Sequence, residues 1–268
     1  DVDAESFNLD VARVRAKVGP KTRAIIPVHL FGLCADMDAL RSAAPDIPLL
    51  EDAACAVGAS YRGESAGALG LGAAFSFHPR KVISTGEGGM ITTNDESIYQ
   101  RALSFTNYGW IPDGTPYDHF MVASNYRMPE LTAALVKGQL EGVLSFSSKR
   151  GREMKNLDYA LREFDSILLQ DELEYTINHG RFYFLIVVRT LESESRDQIV
   201  DYLVDKGIPA RRAYPSFHKT RMFQSLYEQR PELGILPNRI DYCAFQTPVS
   251  DLIANSGFWI PHWYFLEA

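Results

Sequence analysis

Residues 70–93 read GLGAAFSFHPRKVISTGEGGMITT, and this stretch constrains the fold more than any other. Residues 73–77 and 90–93 are apolar runs of the length and composition of short buried strands. Between them lie His78, Pro79, Arg80, Lys81 and the glycine-rich turn Ser84-Thr85-Gly86-Glu87-Gly88-Gly89. The stretch has one lysine. An amine between buried strands and beside tight turns is a candidate covalent catalyst. When partly desolvated, or close to another cation such as Arg80 or His78, it loses its proton more readily and forms a Schiff base with an aldehyde. A solvated loop lysine is the alternative. The turn has neither the GxxxxGK[ST] order of a nucleotide phosphate loop nor the GxGxxG dinucleotide fingerprint.

Upstream, strand-like and helix-like segments alternate. Residues 9–18 are weakly amphipathic and predict a short helix ending at Gly19-Pro20. Residues 22–29, TRAIIPVH, predict a buried strand with His29 at its C-terminal edge, where open α/β sheets place ligands. A helix over 37–44 and a strand over 47–50 follow, and the strand delivers Glu51 and Asp52 to the same edge. The alternation predicts an α/β fold with a mostly parallel central sheet and flanking helices. An aspartate where Asp52 stands is either a helix cap or a functional anion. A pyridine-aldehyde cofactor needs a lysine for the aldehyde and an acid against the ring nitrogen, and Asp52 and Lys81 sit at neighbouring strand ends.

Downstream, residues 96–105 predict a helix and 106–121 a loop. Asn125-Tyr126-Arg127-Met128-Pro129 then leads into a helical tract from residue 130 to about 164. Its Leu131, Leu135, Leu140, Leu144, Leu157, Leu161 and Phe164 predict one buried stripe, and Gly138, Gly142 and Gly151 predict a bend or break. The character then changes. Residues 182–188 predict a strand, 195–206 a helix stopped at Gly207, and 208–213 a further extended edge; 221–228 and 239–245 have helical character. The expected division is a large domain over 1–149 and a smaller α+β domain over 150–268.

A chain of 268 residues with 46% hydrophobic and 23% charged residues has the composition of an ordinary globular protein. Its net charge of -7 argues against a general nucleic-acid surface. Cys34, Cys55 and Cys243 have no disulfide-framework or metal-ligand spacing, so no metal is expected and a reducing compartment suits them. No apolar run reaches membrane length and no signal peptide is present, which sets the expectation of a cytoplasmic protein without membrane partners.

The segments IIPVHLFG, EDAACAVGASYRG, FSFHPRKVISTGEGGMITTND, NYRMPELTAAL and GIPARRAYP occur in that order over most of the chain. Together they resemble the DegT/DnrJ/EryC1/StrS group of pyridoxal-phosphate-dependent sugar aminotransferases, which have the aspartate-aminotransferase fold (fold type I). The resemblance implies pyridoxal 5′-phosphate as cofactor, held as an internal aldimine on Lys81, with Asp52 against the pyridine nitrogen and Ser76 on the phosphate. Asn125 is then the residue donated to the cofactor phosphate of the other subunit, which implies a homodimer with shared active sites. Where the family often has a glutamine near the ring oxygen, this chain has Cys55, a weak hydrogen-bonding substitute. His29 either stacks on the ring or only packs. Tyr108, Arg127, Arg211 and His218 are weaker candidates for a substrate pocket.

The activity implied is transfer of an amino group, with glutamate as the expected donor, to a keto group of a nucleotide-linked sugar, in cell-surface polysaccharide or antibiotic sugar biosynthesis. Some relatives that remove a sugar hydroxyl have histidine for the lysine, and Lys81 favours transamination. The alternatives are a keto-sugar dehydratase of the same chemistry and a non-catalytic regulatory protein on the same scaffold. The family's chains extend before Asp1 and beyond Ala268, so the chain is expected to be a fragment lacking both ends.

Overall fold

The computed structural model describes residues 1–110, 118–189, 193–223 and 245–267. Helix α1 (Val11–Lys17) is capped by Asp10, whose carboxylate accepts from the Ala12 and Arg13 amides. Helix α2 (Met37–Ala43) starts the same way at Asp36. Strand β1 (Leu50–Asp52) follows, then the short antiparallel pair β2 (Ser60–Tyr61) and β3 (Glu64–Ser65). Strand β4 (Gly72–Ser76) lies parallel to β1, with Asp52 opposite Ala74. Strand β5 (Gly89–Thr92) returns antiparallel, with Ser76 opposite Gly89. Only glycine fits at 89, because a Cβ there would stand 2.6 Å from the Phe75 carbonyl oxygen.

The expected strand over 22–29 is reduced to two isolated parallel bridges, Ile25 to Leu49 and Val28 to Asp52. Pro27 has no N–H to donate, so the ladder cannot run on. The sheet is therefore mixed at its described core. Ile26, Val28, Met90 and Ile91 are exposed while Ile25, Pro27 and His29 are buried, so 22–29 is buried only at alternate residues and the expected burial of 90–93 is corrected.

Helix α3 (Glu96–Thr106) is capped by Asp95, and α4 (Glu130–Leu161) follows as one assigned helix of 32 residues. The glycines do not break it; Gly138 and Gly151 face open space. Its buried positions are Val136, Val143, Ser147, Arg150 and Met154. The expected stripe is corrected in its first half, since Leu131 is 77% and Leu144 60% exposed, with Leu135 and Leu140 also exposed. Leu157 and Leu161 do pack, against the core of the second half, but Phe164 lies beyond the helix end and is exposed.

That second half has β6 (Ile167–Leu169), β7 (Thr176–Asn178), β8 (Tyr183–Val188), α5 (Ser193–Asp205), β9 (Arg211–Arg212), α6 (Pro248–Ser256), β10 (Gly257–Pro261) and α7 (Tyr264–Glu267). Strands run β6-β8-β10-β9, all antiparallel. The extended edge expected over 208–213 pairs only at β9. Most of the helical segments expected over 221–228 and 239–245 lies outside the described residues.

The two halves are tied together. Strand β7 pairs with β2, and the Phe182 amide donates to the Phe31 carbonyl at 2.9 Å. Phe7, Phe31, Phe182, Tyr183, Leu185, Val187 and Trp259 form one shared core, with Cys55 and Val82 against it.

Candidate active site

Successive residues of a strand point to opposite faces, and β1 uses this to separate two carboxylates. Glu51 turns into the core, and Asp52 stays partly exposed at the strand end. The Glu51 carboxylate accepts from the Gly67, Leu69 and Gly70 amides, each at 2.7 Å, and from His29 Nε2 at 2.9 Å. Burial pushes its pKa up, but the hydrogen bonds from His29 and from the Gly67 and Gly70 amides outweigh this and hold the carboxyl below its ordinary range. His29 Nδ1 accepts from the Ala35 amide at 3.1 Å, which puts the ring proton on Nε2, facing Glu51. The imidazole is fully buried, with both nitrogens engaged. It underpins the strand end and has no free polar edge.

Asp52 accepts from the Ala54 amide at 3.1 Å, and Cys55 stands one turn further on. Lys81 reaches this point from the neighbouring strand. Its Nζ donates to Cys55 Sγ at 3.2 Å and lies 4.8 Å from the centre of the Phe182 ring. Burial raises the Cys55 pKa most; the Lys81 charge opposes this and the Asp52 charge adds to it. The thiol thus feels both the amine and the carboxylate. Among the described residues Lys81 forms no ion pair. Ser76 ends β4 beside them, and its hydroxyl accepts from the His78 amide at 3.3 Å.

The structure brings Lys81, Asp52 and Cys55 together, with Ser76 on the adjoining strand end and His29 beneath. Asn125 is placed differently. It is exposed, on an arm that pairs it with Asn107, and its Oδ1 accepts from the Arg127 amide and Nε. Arg127 lies over the Tyr108 ring at 5.2 Å, so both belong to that arm. Arg211 lies over Trp259 at 5.9 Å, and Trp259 stacks on Tyr183 at 3.7 Å. His218 is buried, in reach of the Asp251 charge.

Sequence reasoning put Glu51 at the same edge as Asp52 and missed its place in the core, and it missed Phe182. Glu51 carried a signal: it is the strand neighbour of a site residue and must face the other way. Phe182 comes from 101 positions downstream and carried none.

An amine with no ion-pair partner among the described residues, a carboxylate at the neighbouring strand end and a hydroxyl at the end of β4 fit a pyridine aldehyde phosphate, which needs one of each. On this sheet they define the class of lysine-based α/β transferases. The chain belongs to the DegT/DnrJ/EryC1/StrS aminotransferase family, whose model matches residues 1–266. It is similar to 3-amino-5-hydroxybenzoate synthase of Amycolatopsis mediterranei, 33% identical over 98% of this chain and 67% of the relative. It is also similar to GDP-perosamine synthase of Caulobacter vibrioides, 37% identical over 81% of this chain and 59% of the relative. A crystal structure of 3-amino-5-hydroxybenzoic acid synthase superposes with a TM-score of 0.89 at 33% identity, covering 99% of this chain and 68% of that one.

The matches to 3-amino-5-hydroxybenzoate synthase run over 98–99% of this chain. The chain spans 59–67% of the length of these curated relatives. Among the described residues no helix is long and apolar enough to cross a membrane, and no group of three or more His, Cys, Asp or Glu is placed to hold a metal ion.

Proposed function

We propose that the protein is a pyridoxal-phosphate-dependent aminotransferase that moves an amino group, from glutamate in the first instance, to a keto group of a nucleotide-linked sugar. The observation that carries this reading is the Lys81 amine, 3.2 Å from Cys55 and within a site shared with Asp52. Family membership and the similarity to GDP-perosamine synthase support it.

Pyridoxal phosphate, when bound, supplies an aldehyde that joins amines and a ring that takes up the electrons of a broken Cα–H bond. Lys81 Nζ would hold that aldehyde and, when free, would take a proton from the donor Cα and later return one, as base and acid in turn. Asp52 holds a proton on the ring nitrogen. Ser76 Oγ orients the phosphate, and Asn125 of a second copy reaches the same phosphate. The Cys55 thiol faces the amine and leaves the ring oxygen a weak donor. His29 acts from below, through Glu51.

The working unit in this reading is a cytoplasmic homodimer with shared sites, built from a cofactor-binding part over 1–149 and a smaller part over 150–268. Its product serves cell-surface polysaccharide or antibiotic sugar biosynthesis. A second reading has a small ring ketone as acceptor, favoured by the similarity to 3-amino-5-hydroxybenzoate synthase along 98% of the chain. Product analysis decides. The protein is incubated with cofactor, glutamate and either a nucleotide-linked keto sugar or a small cyclic ketone. Glutamate-dependent amination of the sugar is the expected result. Amination of the small ring alone selects the second reading, and a dehydrated sugar or no product overturns the transamination.

A further inference from the structure

Lys81 lies in the middle of a closed loop. The Thr85 amide donates to the Phe77 carbonyl at 3.0 Å, the Phe77 amide donates to the Gly88 carbonyl at 2.9 Å, and the Lys81 amide donates to the His78 carbonyl at 2.8 Å. These bonds close the neck and shape the turn. They do not fix the loop against the rest of the molecule. Val82 packs against the shared core, and two contacts with α4 add to this. Ile83 is buried among Phe77, Val57, Val136 and Val143. One residue on, Gln139 takes both backbone groups of Ser84: its Oε1 accepts from the Ser84 amide at 3.0 Å and its Nε2 donates to the Ser84 carbonyl at 2.8 Å. Nε2 also donates to the Leu135 carbonyl at 3.0 Å, which fixes the side chain to its own helix.

A primary amide is the side-chain group that can do this. It presents one donor and one acceptor side by side, as a neighbouring strand would. Glutamate has the same length but no donor for the Ser84 carbonyl. Leucine has neither group. Gln139 makes no contact with Lys81 itself, so any influence on the amine passes through the loop.

We propose that Gln139 is a positioning residue for Lys81. Its two bonds to Ser84, with Ile83 plugged beside them, hold the loop in the register that keeps the Lys81 amine at Cys55 and over the Phe182 ring. Ser84 is three residues from Lys81, and a small displacement of a reacting group costs rate steeply. The inference rests on the proposed role of Lys81 and adds a residue of α4 to it.

The test compares wild type with Gln139→Leu and Gln139→Glu. Each protein, stripped of cofactor, is mixed with pyridoxal 5′-phosphate, quenched with borohydride at timed intervals, and the mass gain at Lys81 is followed by peptide mapping. Melting midpoints and backbone hydrogen exchange at Ser84 and Thr85 are measured on the same samples. Uptake at Lys81 should slow by about tenfold in Gln139→Leu. Gln139→Glu should fall between it and wild type, because it keeps the bond to the Ser84 amide. Exchange at Ser84 should quicken in the same order, with melting midpoints close together. Uptake in both variants within twofold of wild type overturns the proposal. So does a loss that follows the melting midpoint, with no separate change in exchange at Ser84. If Gln139→Leu does not fold, the ratio of Gln139→Glu to wild type decides. Wild-type protein that gains mass elsewhere than Lys81 fails the underlying reading instead, and is seen as such in the control.

Discussion

Glu51 and Asp52 are adjacent carboxylates with opposite tasks, separated by the alternation of one strand. Glu51 is fully committed inside the fold, to three amides and His29. Asp52 makes one hydrogen bond, to the Ala54 amide, and stays partly exposed. Conservative amides at each position should therefore have opposite effects. Glu51→Gln leaves a buried network with a donor facing donors, and should cost about 2–4 kcal/mol of stability. Asp52→Asn should leave stability nearly unchanged and lower turnover about 10²–10⁴-fold. Denaturation and initial rates on the two variants check this, and a stable, active Glu51→Gln contradicts it. The pH dependence follows from the sign of the Glu51 shift. Its folded pKa lies below the ordinary 4.5, so its contribution is complete above 4.5 and is lost as pH falls from there through the folded value. Glu51→Gln should remove that part of the acid limb of the stability curve.

Among the elements, α4 differs most from its sequence expectation. Its position and length were legible, from Pro129 at the N-terminal cap to an end at Leu161. Its faces were not. Periodicity shows that leucines share a face, but not what that face meets. In its first half the residues that pack inward, Val136 and Val143, are β-branched and sparse, while Leu131, Leu135 and Leu144 stand outside. The strand ends were read more closely, because short apolar runs bounded by glycines have few alternatives. Strand β4 begins and ends within a residue of its expected span. The strand over 22–29 failed at Pro27, where the apolar pattern hid a missing donor. If the proposed second copy covers the outer leucines, Leu131→Glu with Leu144→Glu should shift the protein from dimer to monomer in sedimentation. An unchanged mass would mean that this face is not the interface.

At the scale of the whole molecule, the site depends on both halves of the chain. Lys81, Asp52 and Cys55 come from the first, and the ring beneath the amine, Phe182, comes from the second, through a core that also contains Phe31, Tyr183 and Trp259. In the proposed homodimer, Asn125 would extend the same dependence to a second copy. Lys81→Ala and Asn125→Ala, each inactive alone, should regain activity when their subunits exchange, because one site of each mixed dimer is then intact. Verified exchange without recovery would refute the shared site. All of this hangs on one bond. The protein should be loaded with pyridoxal 5′-phosphate, reduced with borohydride and digested, and the modified peptide sequenced by mass. The expected result is the mass of the reduced cofactor on Lys81 and its absence from Lys81→Ala; the cofactor mass on another lysine, or on none, contradicts the account.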